Sequence, residues 1–174
     1  MRDEAAFVEF AEAVRGRLRR TAYLMCGDWD RASDHVQEGL IRVYVAWPRL
    51  TRAGGEYAYA RKAVTSAFLD SARRRSSTEV LTEHDRDVPS GHDLAGSVAE
   101  RAALMSALAD LPPRQRACVV LRFFEDLSVA DTAALLRCTE GTVKSQTSRA
   151  LASLRTMFDA APTGGLTTEG ATSW

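Results

Sequence analysis

Cysteine is scarce in this chain, long apolar runs are missing, and neither sign of charge prevails. The three cysteines, Cys26, Cys118 and Cys138, are odd in number and stand 92 and 20 positions apart, which suits neither a disulfide framework nor a CxxC metal knuckle. They read as small buried hydrophobes, with Cys138 the one position suited to a redox-sensitive thiol. No apolar stretch approaches the ~18 residues that a membrane span requires, so no membrane insertion is expected. Glu9, Glu12, Arg15, Arg17, Arg19 and Arg20 interrupt what would be the apolar segment of a secretory signal, and the expected location is the cytoplasm. Signatures of catalysis are missing too: GxxxxGK(S/T), HExxH, GxSxG and clustered His, Cys and carboxylate ligands do not occur. The chain is therefore not expected to be an enzyme or to hold a metal or cofactor.

What is present is an ordinary globular composition, 45% hydrophobic over 174 residues, enough for one domain or two small ones. The 23 Lys+Arg balance 23 Asp+Glu, but not evenly along the chain. Residues 1–75 carry 14 basic against 10 acidic side chains, 76–110 carry 2 against 7, 111–158 carry 7 against 4, and 159–174 carry 0 against 2. Two mildly basic blocks around an acidic stretch suit two polyanion-binding surfaces, although a solvated charge mixture has the same composition.

Apolar residues at Phe7, Phe10, Val14 and Leu18, then Tyr23 and Leu24, have helical spacing. After Gly27, Asp28 and Asp30 suit the positive end of a second helix, whose apolar face is Val36, Leu40, Val43 and Trp47 and which is expected to stop at Pro48. Ala60, Ala63, Val64, Ala67 and Phe68 mark a third helix, ending in Arg73, Arg74 and Arg75. Residues 76–97, rich in Ser, Asp, Glu, Gly and Pro, read as a flexible acidic linker in which His84 and His92 are solvated. Helices are expected over 98–109 and 113–125, then a pair capped by Ser128, with Asp131 in a capping-box position, and by Thr139; the second runs to about Phe158. Residues 159–174 form a Gly/Thr-rich tail, and strand-like alternation is absent.

The segment LSVADTAALLRCTEGTVKSQTSRALASLR has the spacing of a helix-turn-helix. Ala133 sits where only a small side chain fits between two helices, Leu136 and Val143 close the core between them, and Cys138 lies at the turn. The second helix offers Glu140, Thr142, Lys144, Ser145, Gln146, Ser148 and Arg149, short polar or basic groups suited to base edges and phosphates in a major groove.

With the stretch before it, LPPRQRACVVLRFFED, this segment resembles region 4 of bacterial sigma factors of the extracytoplasmic-function group. AYLMCGDWDRASDHVQEGLIRVYVAWPRL followed by YARKAVTSAFLDSARRR resembles their region 2, in the actinobacterial style. The resemblance implies an all-α chain of two small helical domains: a three-helix region 2 over 1–75, a flexible acidic linker over 76–97, region 4 over 98–158 and a flexible tail over 159–174. It implies a promoter-specificity subunit whose partners are RNA polymerase core, promoter DNA and, in many members, an anti-sigma factor.

By the same resemblance Asp34, Gln37 and Glu38 stand in a D-x-x-Q-E pattern that meets core polymerase; spacing alone also fits a solvated acidic face. Arg52, Glu56, Tyr57, Tyr59, Arg61, Lys62 and Ser66 match the segment that opens and holds the minus-ten strand, by stacking and phosphate neutralisation. Either tyrosine also suits a core position. Arg73, Arg74 and Arg75 would meet duplex phosphates just upstream. Thr142, Lys144, Ser145 and Arg149 match the positions that read the minus-thirty-five element. The chain departs from the family's pattern at Arg137 for a turn glycine, Ser66 for an asparagine, Gly39 inside a helix, and Thr132 for a larger apolar residue. A stand-alone regulator, usually a symmetric dimer, is the alternative, but it leaves the D-x-x-Q-E face without a role.

Overall fold

The structure is a computed structural model that describes residues 4–50, 55–77 and 98–160. Arg52, His84, His92, the linker beyond residue 77 and the tail beyond residue 160 lie outside the described residues. Those described form α1 (Glu4–Cys26), α2 (Trp29–Leu50), α3 (Glu56–Ser77), α4 (Val98–Asp110), α5 (Pro113–Val119), a π-helical turn (Val120–Phe124), α6 (Val129–Leu136) and α7 (Glu140–Ala160). There is no strand among them.

Local chemistry sets the helix ends. Gly27 takes φ +75, where its N–H reaches the Tyr23 carbonyl and closes α1. Asp28 then caps α2, its carboxylate accepting from the Arg31 N–H at 2.7 Å. The helix does not stop at Pro48. It runs to Leu50, with Pro48 inside its last turn, where the proline forfeits one N–H bond and crowds the carbonyl four residues before it. Ser128 caps α6, accepting from the Asp131 N–H at 2.9 Å, and Thr139 caps α7, accepting from the Thr142 N–H at 3.1 Å. The Asp131 carboxylate accepts from the Ser128 hydroxyl at 2.6 Å, so it closes the box on the side chain.

The helix expected over 113–125 changes character after Val119. In the wider turn that follows, the Glu125 N–H bonds the Val120 carbonyl, and Asp126 reverses the chain at φ +53.

α1, α2 and α3 pack on one another, and α5 and α6 pack on α7. Leu18, Met25, Val43, Val64 and Phe68 fill the first module; Leu108, Leu121, Ala150 and Leu154 fill the second, within one contiguous apolar cluster. Gly39 lies where α2 and α3 approach closely. A Cβ there would lie 2.6 Å from Val64 Cγ2 and 3.1 Å from the Val64 backbone nitrogen. Its absent side chain therefore permits the packing, whatever it costs the isolated helix.

Candidate nucleic-acid interface

In the helix-turn-helix, Ala133, Leu136 and Val143 are buried as their spacing requires. Thr132 is also buried; its hydroxyl donates to the Ser128 carbonyl at 2.8 Å, which satisfies the polar group that departs from the family's pattern. Arg137 caps α6 in the left-handed region, φ 52 and ψ 52, where glycine carries no Cβ penalty. Along α7, Lys144, Ser145, Ser148 and Arg149 are exposed. The Thr142 hydroxyl pairs with Thr139 at 2.9 Å and the Ser145 hydroxyl donates to the Thr142 carbonyl at 3.0 Å. Lys144 and Arg149 have no ion-pair partner among the described residues.

The start of α3 is arranged differently. Tyr59 is exposed and Lys62 half-buried, but Tyr57 and Arg61 turn inward to Glu125. The Glu125 side chain is 0% exposed and accepts from Arg17 at 3.1 Å, the Thr21 hydroxyl at 2.5 Å, the Tyr57 phenol at 3.1 and 3.2 Å, and Arg61 at 3.1 Å. Both guanidinium groups also lie over the Tyr57 ring, 4.9 Å and 5.4 Å from its centre. Burial, then the charge of Glu125, pushes the Tyr57 phenol well above its usual pKa, so it stays a donor. A second tie runs the other way. Arg116 donates to the Met25 carbonyl at 2.7 Å, at the negative end of α1, and to the carbonyls of Ala109 and Leu111. Sequence reasoning missed Glu125, Arg17, Thr21 and Arg116 as a group.

On α2, Asp34 and Gln37 are exposed, whereas Glu38 is held by Arg42, which also stands 3.9 Å from Asp70. Gln37 borders a groove of about 580 Å³ between α1 and α2, with Phe7, Val8, Leu40 and Ile41 in its walls. Exposed Val8 and Ile41 make an apolar patch beside the acidic face, which sequence reasoning also missed. Ser66 and Arg73 of α3 line a cleft of about 840 Å³ together with Arg137, Gln146 and Arg149 of the second module. Arg74 and Arg75 are exposed at the end of α3, and Glu56 is half-buried at its start.

The described residues hold no cluster of three or more His, Cys, Asp or Glu that could bind a metal, and no helix long and apolar enough to cross a membrane. Cys26 and Cys118 are buried and Cys138 partly so. Burial raises both buried thiols, Cys118 to about 11, which keeps them protonated.

A helix-turn-helix with a cationic outer face, packed on a separate three-helix module, defines a DNA-binding transcription factor of two modules. Residues 10–78 match the family model for Sigma-70 region 2, and residues 101–154 match that for Sigma-70 region 4. The chain is 40% identical over 151 residues to the RNA polymerase sigma-E factor of Streptomyces avermitilis, covering 85% of this chain and 84% of that protein. It is 35% identical over 162 residues to the ECF RNA polymerase sigma factor SigE of Mycolicibacterium smegmatis, covering 88% and 63%. The chain belongs to the sigma-70 family of RNA polymerase sigma factors, as an extracytoplasmic-function member. It binds core RNA polymerase and directs promoter-specific transcription initiation, reading minus-ten and minus-thirty-five elements. The fold is shared with the sigma factor RpoE of Bartonella quintana, solved with the anti-sigma factor NepR, at TM-score 0.72 and 24% identity over 90% of this chain and 98% of that one. It is shared also with CnrH, solved with the cytosolic domain of CnrY, at TM-score 0.66 and 19% identity over 91% of each chain.

Proposed function

We propose that this sigma factor divides its work between its modules residue by residue. The α2 face of Asp34, Gln37 and Glu38 meets core polymerase. Glu56, Tyr57, Tyr59, Arg61, Lys62 and Ser66, with Arg52 before them, hold the opened minus-ten strand, and Arg73, Arg74 and Arg75 meet duplex phosphates upstream. Thr142, Lys144, Ser145 and Arg149 read the minus-thirty-five element. The modules occupy 1–75 and 98–158, with a linker over 76–97 and a tail over 159–174. The protein acts in the cytoplasm, performs no catalysis itself, and is a candidate for capture by an anti-sigma factor, as the solved complexes of its structural neighbours illustrate.

The observation that carries this assignment is the outer face of α7: Lys144 and Arg149 are exposed cations with no ion-pair partner among the described residues, on a helix whose N-terminus is capped and fixed by Thr139. Such groups reach phosphates and base edges without first breaking an ion pair. The test is transcription in vitro with sigma-free core polymerase and fragmented genomic DNA, with sequencing of the RNA ends. Discrete starts that share two upstream motifs are expected. Starts that persist unchanged when Lys144 and Arg149 are alanine would overturn the minus-thirty-five assignment.

A further inference from the structure

Four donors of the first module, Arg17, Thr21, Tyr57 and Arg61, converge on a single carboxylate that belongs to the second. All four donors come from α1 and α3. Two guanidinium groups, a hydroxyl and a phenol suit one kind of occupant, an anion with several acceptor oxygens; Arg pairs with carboxylate and phosphate through the same fork. Tyr57 and Arg61 lie one helical turn apart at the start of α3, beside exposed Tyr59 and half-buried Lys62.

The closed arrangement has a second property. Ser66 and Arg73 face Arg149 and Gln146 across one cleft of about 840 Å³. Two promoter elements named for positions about 25 base pairs apart are separated by roughly 85 Å of duplex at 3.4 Å per pair. Residues that share one small cleft cannot serve both elements at once, so reading a promoter requires the modules to part. Among the described residues, Glu125 and Arg116 make polar ties that must then break.

We propose that Arg17, Thr21, Tyr57 and Arg61 form a seat for a backbone phosphate of the opened promoter strand, and that Glu125 plugs this seat in the closed chain, so that strand and closure exclude one another. The inference rests on the assignment of the start of α3 to the minus-ten strand. It adds Arg17 and Thr21 to that surface and gives Glu125 the role of an internal competitor.

The test uses the full chain and a single-stranded oligodeoxynucleotide of minus-ten sequence, with anisotropy for binding and small-angle scattering for compactness. On the unaltered protein, saturating strand should increase the radius of gyration; strand bound to a chain that stays compact overturns the proposal. Glu125→Gln should expand the free chain and raise strand affinity at least tenfold. Adding Arg61→Ala should remove that gain while the chain stays expanded. Arg116→Gln cuts a second tie with the seat residues unchanged, and should also expand the chain and raise affinity if Glu125→Gln proves too unstable to measure. Expansion without a gain in affinity refutes the phosphate seat. That failure is distinct from failure of the minus-ten assignment, which would appear as unchanged strand opening by holoenzyme when Tyr59 and Lys62 are alanine.

Discussion

Gly39→Ala in α2 sets two terms of known sign against each other. Alanine in a helix interior is favoured over glycine by roughly 1 kcal/mol. Against this, the new Cβ would meet Val64 Cγ2 at 2.6 Å and the Val64 nitrogen at 3.1 Å, both inside ordinary contact distance. Val64 is buried and β-branched, so its side chain has one strongly preferred helical rotamer and cannot swing clear; its backbone cannot move without α3. Overpacking of this kind costs roughly 1–3 kcal/mol, and a contact against backbone belongs at the upper end. The net expectation is destabilisation by about 1–2 kcal/mol, a fall in Tm of roughly 3–6 °C for a chain of this size. Calorimetry or thermal circular dichroism measures it, and the same substitution in a Val64→Ala background, which removes the Cγ2 contact and keeps the backbone one, should cost less. A rise in Tm on Gly39→Ala alone would refute the packing argument and leave Gly39 as an ordinary helix defect.

Arg137→Gly should raise stability by roughly 1 kcal/mol, because φ 52 penalises a Cβ and glycine takes it freely; an unchanged or lower Tm would show that the arginine side chain compensates. Lys144→Ala and Arg149→Ala should each weaken minus-thirty-five duplex binding, reduce the log–log salt slope by about 1, and leave polymerase binding intact; equal loss of both activities would defeat the division between modules. Replacing Asp34 and Glu38 with lysine should abolish co-elution with core polymerase at moderate salt, whereas unchanged co-elution would make that face plain solvated surface. His35 is buried beside Arg31, and burial first, then that charge, lowers its pKa. Its contribution is thus present above the unfolded value of about 6.5 and lost as pH falls through the folded one, so Tm should drop toward pH 5 and His35→Leu should flatten that drop.

The sequence showed the helices and caps clearly because both are local signals. Gly27, Asp28, Ser128 and Thr139 act on groups within four residues of themselves, and each closes the helix end where its chemistry predicts. Pro48 misled because its effect depends on how soon the helix ends anyway. Glu125 was harder. It continues the apolar face of Ala117 and Leu121 at four-residue spacing, which is a signal that it is buried. Its partners, however, lie 64 to 108 positions away, and only the fold states who they are. Gly39 reads as a defect in one dimension and as a contact in three, for the same reason.

Charge counting shows where such reading stops being physical. The first module's basic excess suggests a ready polyanion surface, yet Arg17 and Arg61 are held by Glu125, Arg42 by Glu38, and Arg73 by Asp70 at 2.5 Å. An exposed pair such as Arg73 with Asp70 contributes little and parts readily when a phosphate competes, since surface ion pairs are worth about 0–1 kcal/mol. Arg61 is another case, because its side chain is only 13% exposed and its carboxylate partner is fully enclosed. Withdrawing that carboxylate leaves a nearly dehydrated guanidinium and a buried phenol without an acceptor, a cost that a phosphate in the same place would offset. Among the described residues, the cations of α7 have no ion-pair partner to lose. Lys144 is exposed in the closed chain, whereas Arg149, which lines one cleft with Ser66 and Arg73, and the proposed strand seat of the first module both wait for the modules to part.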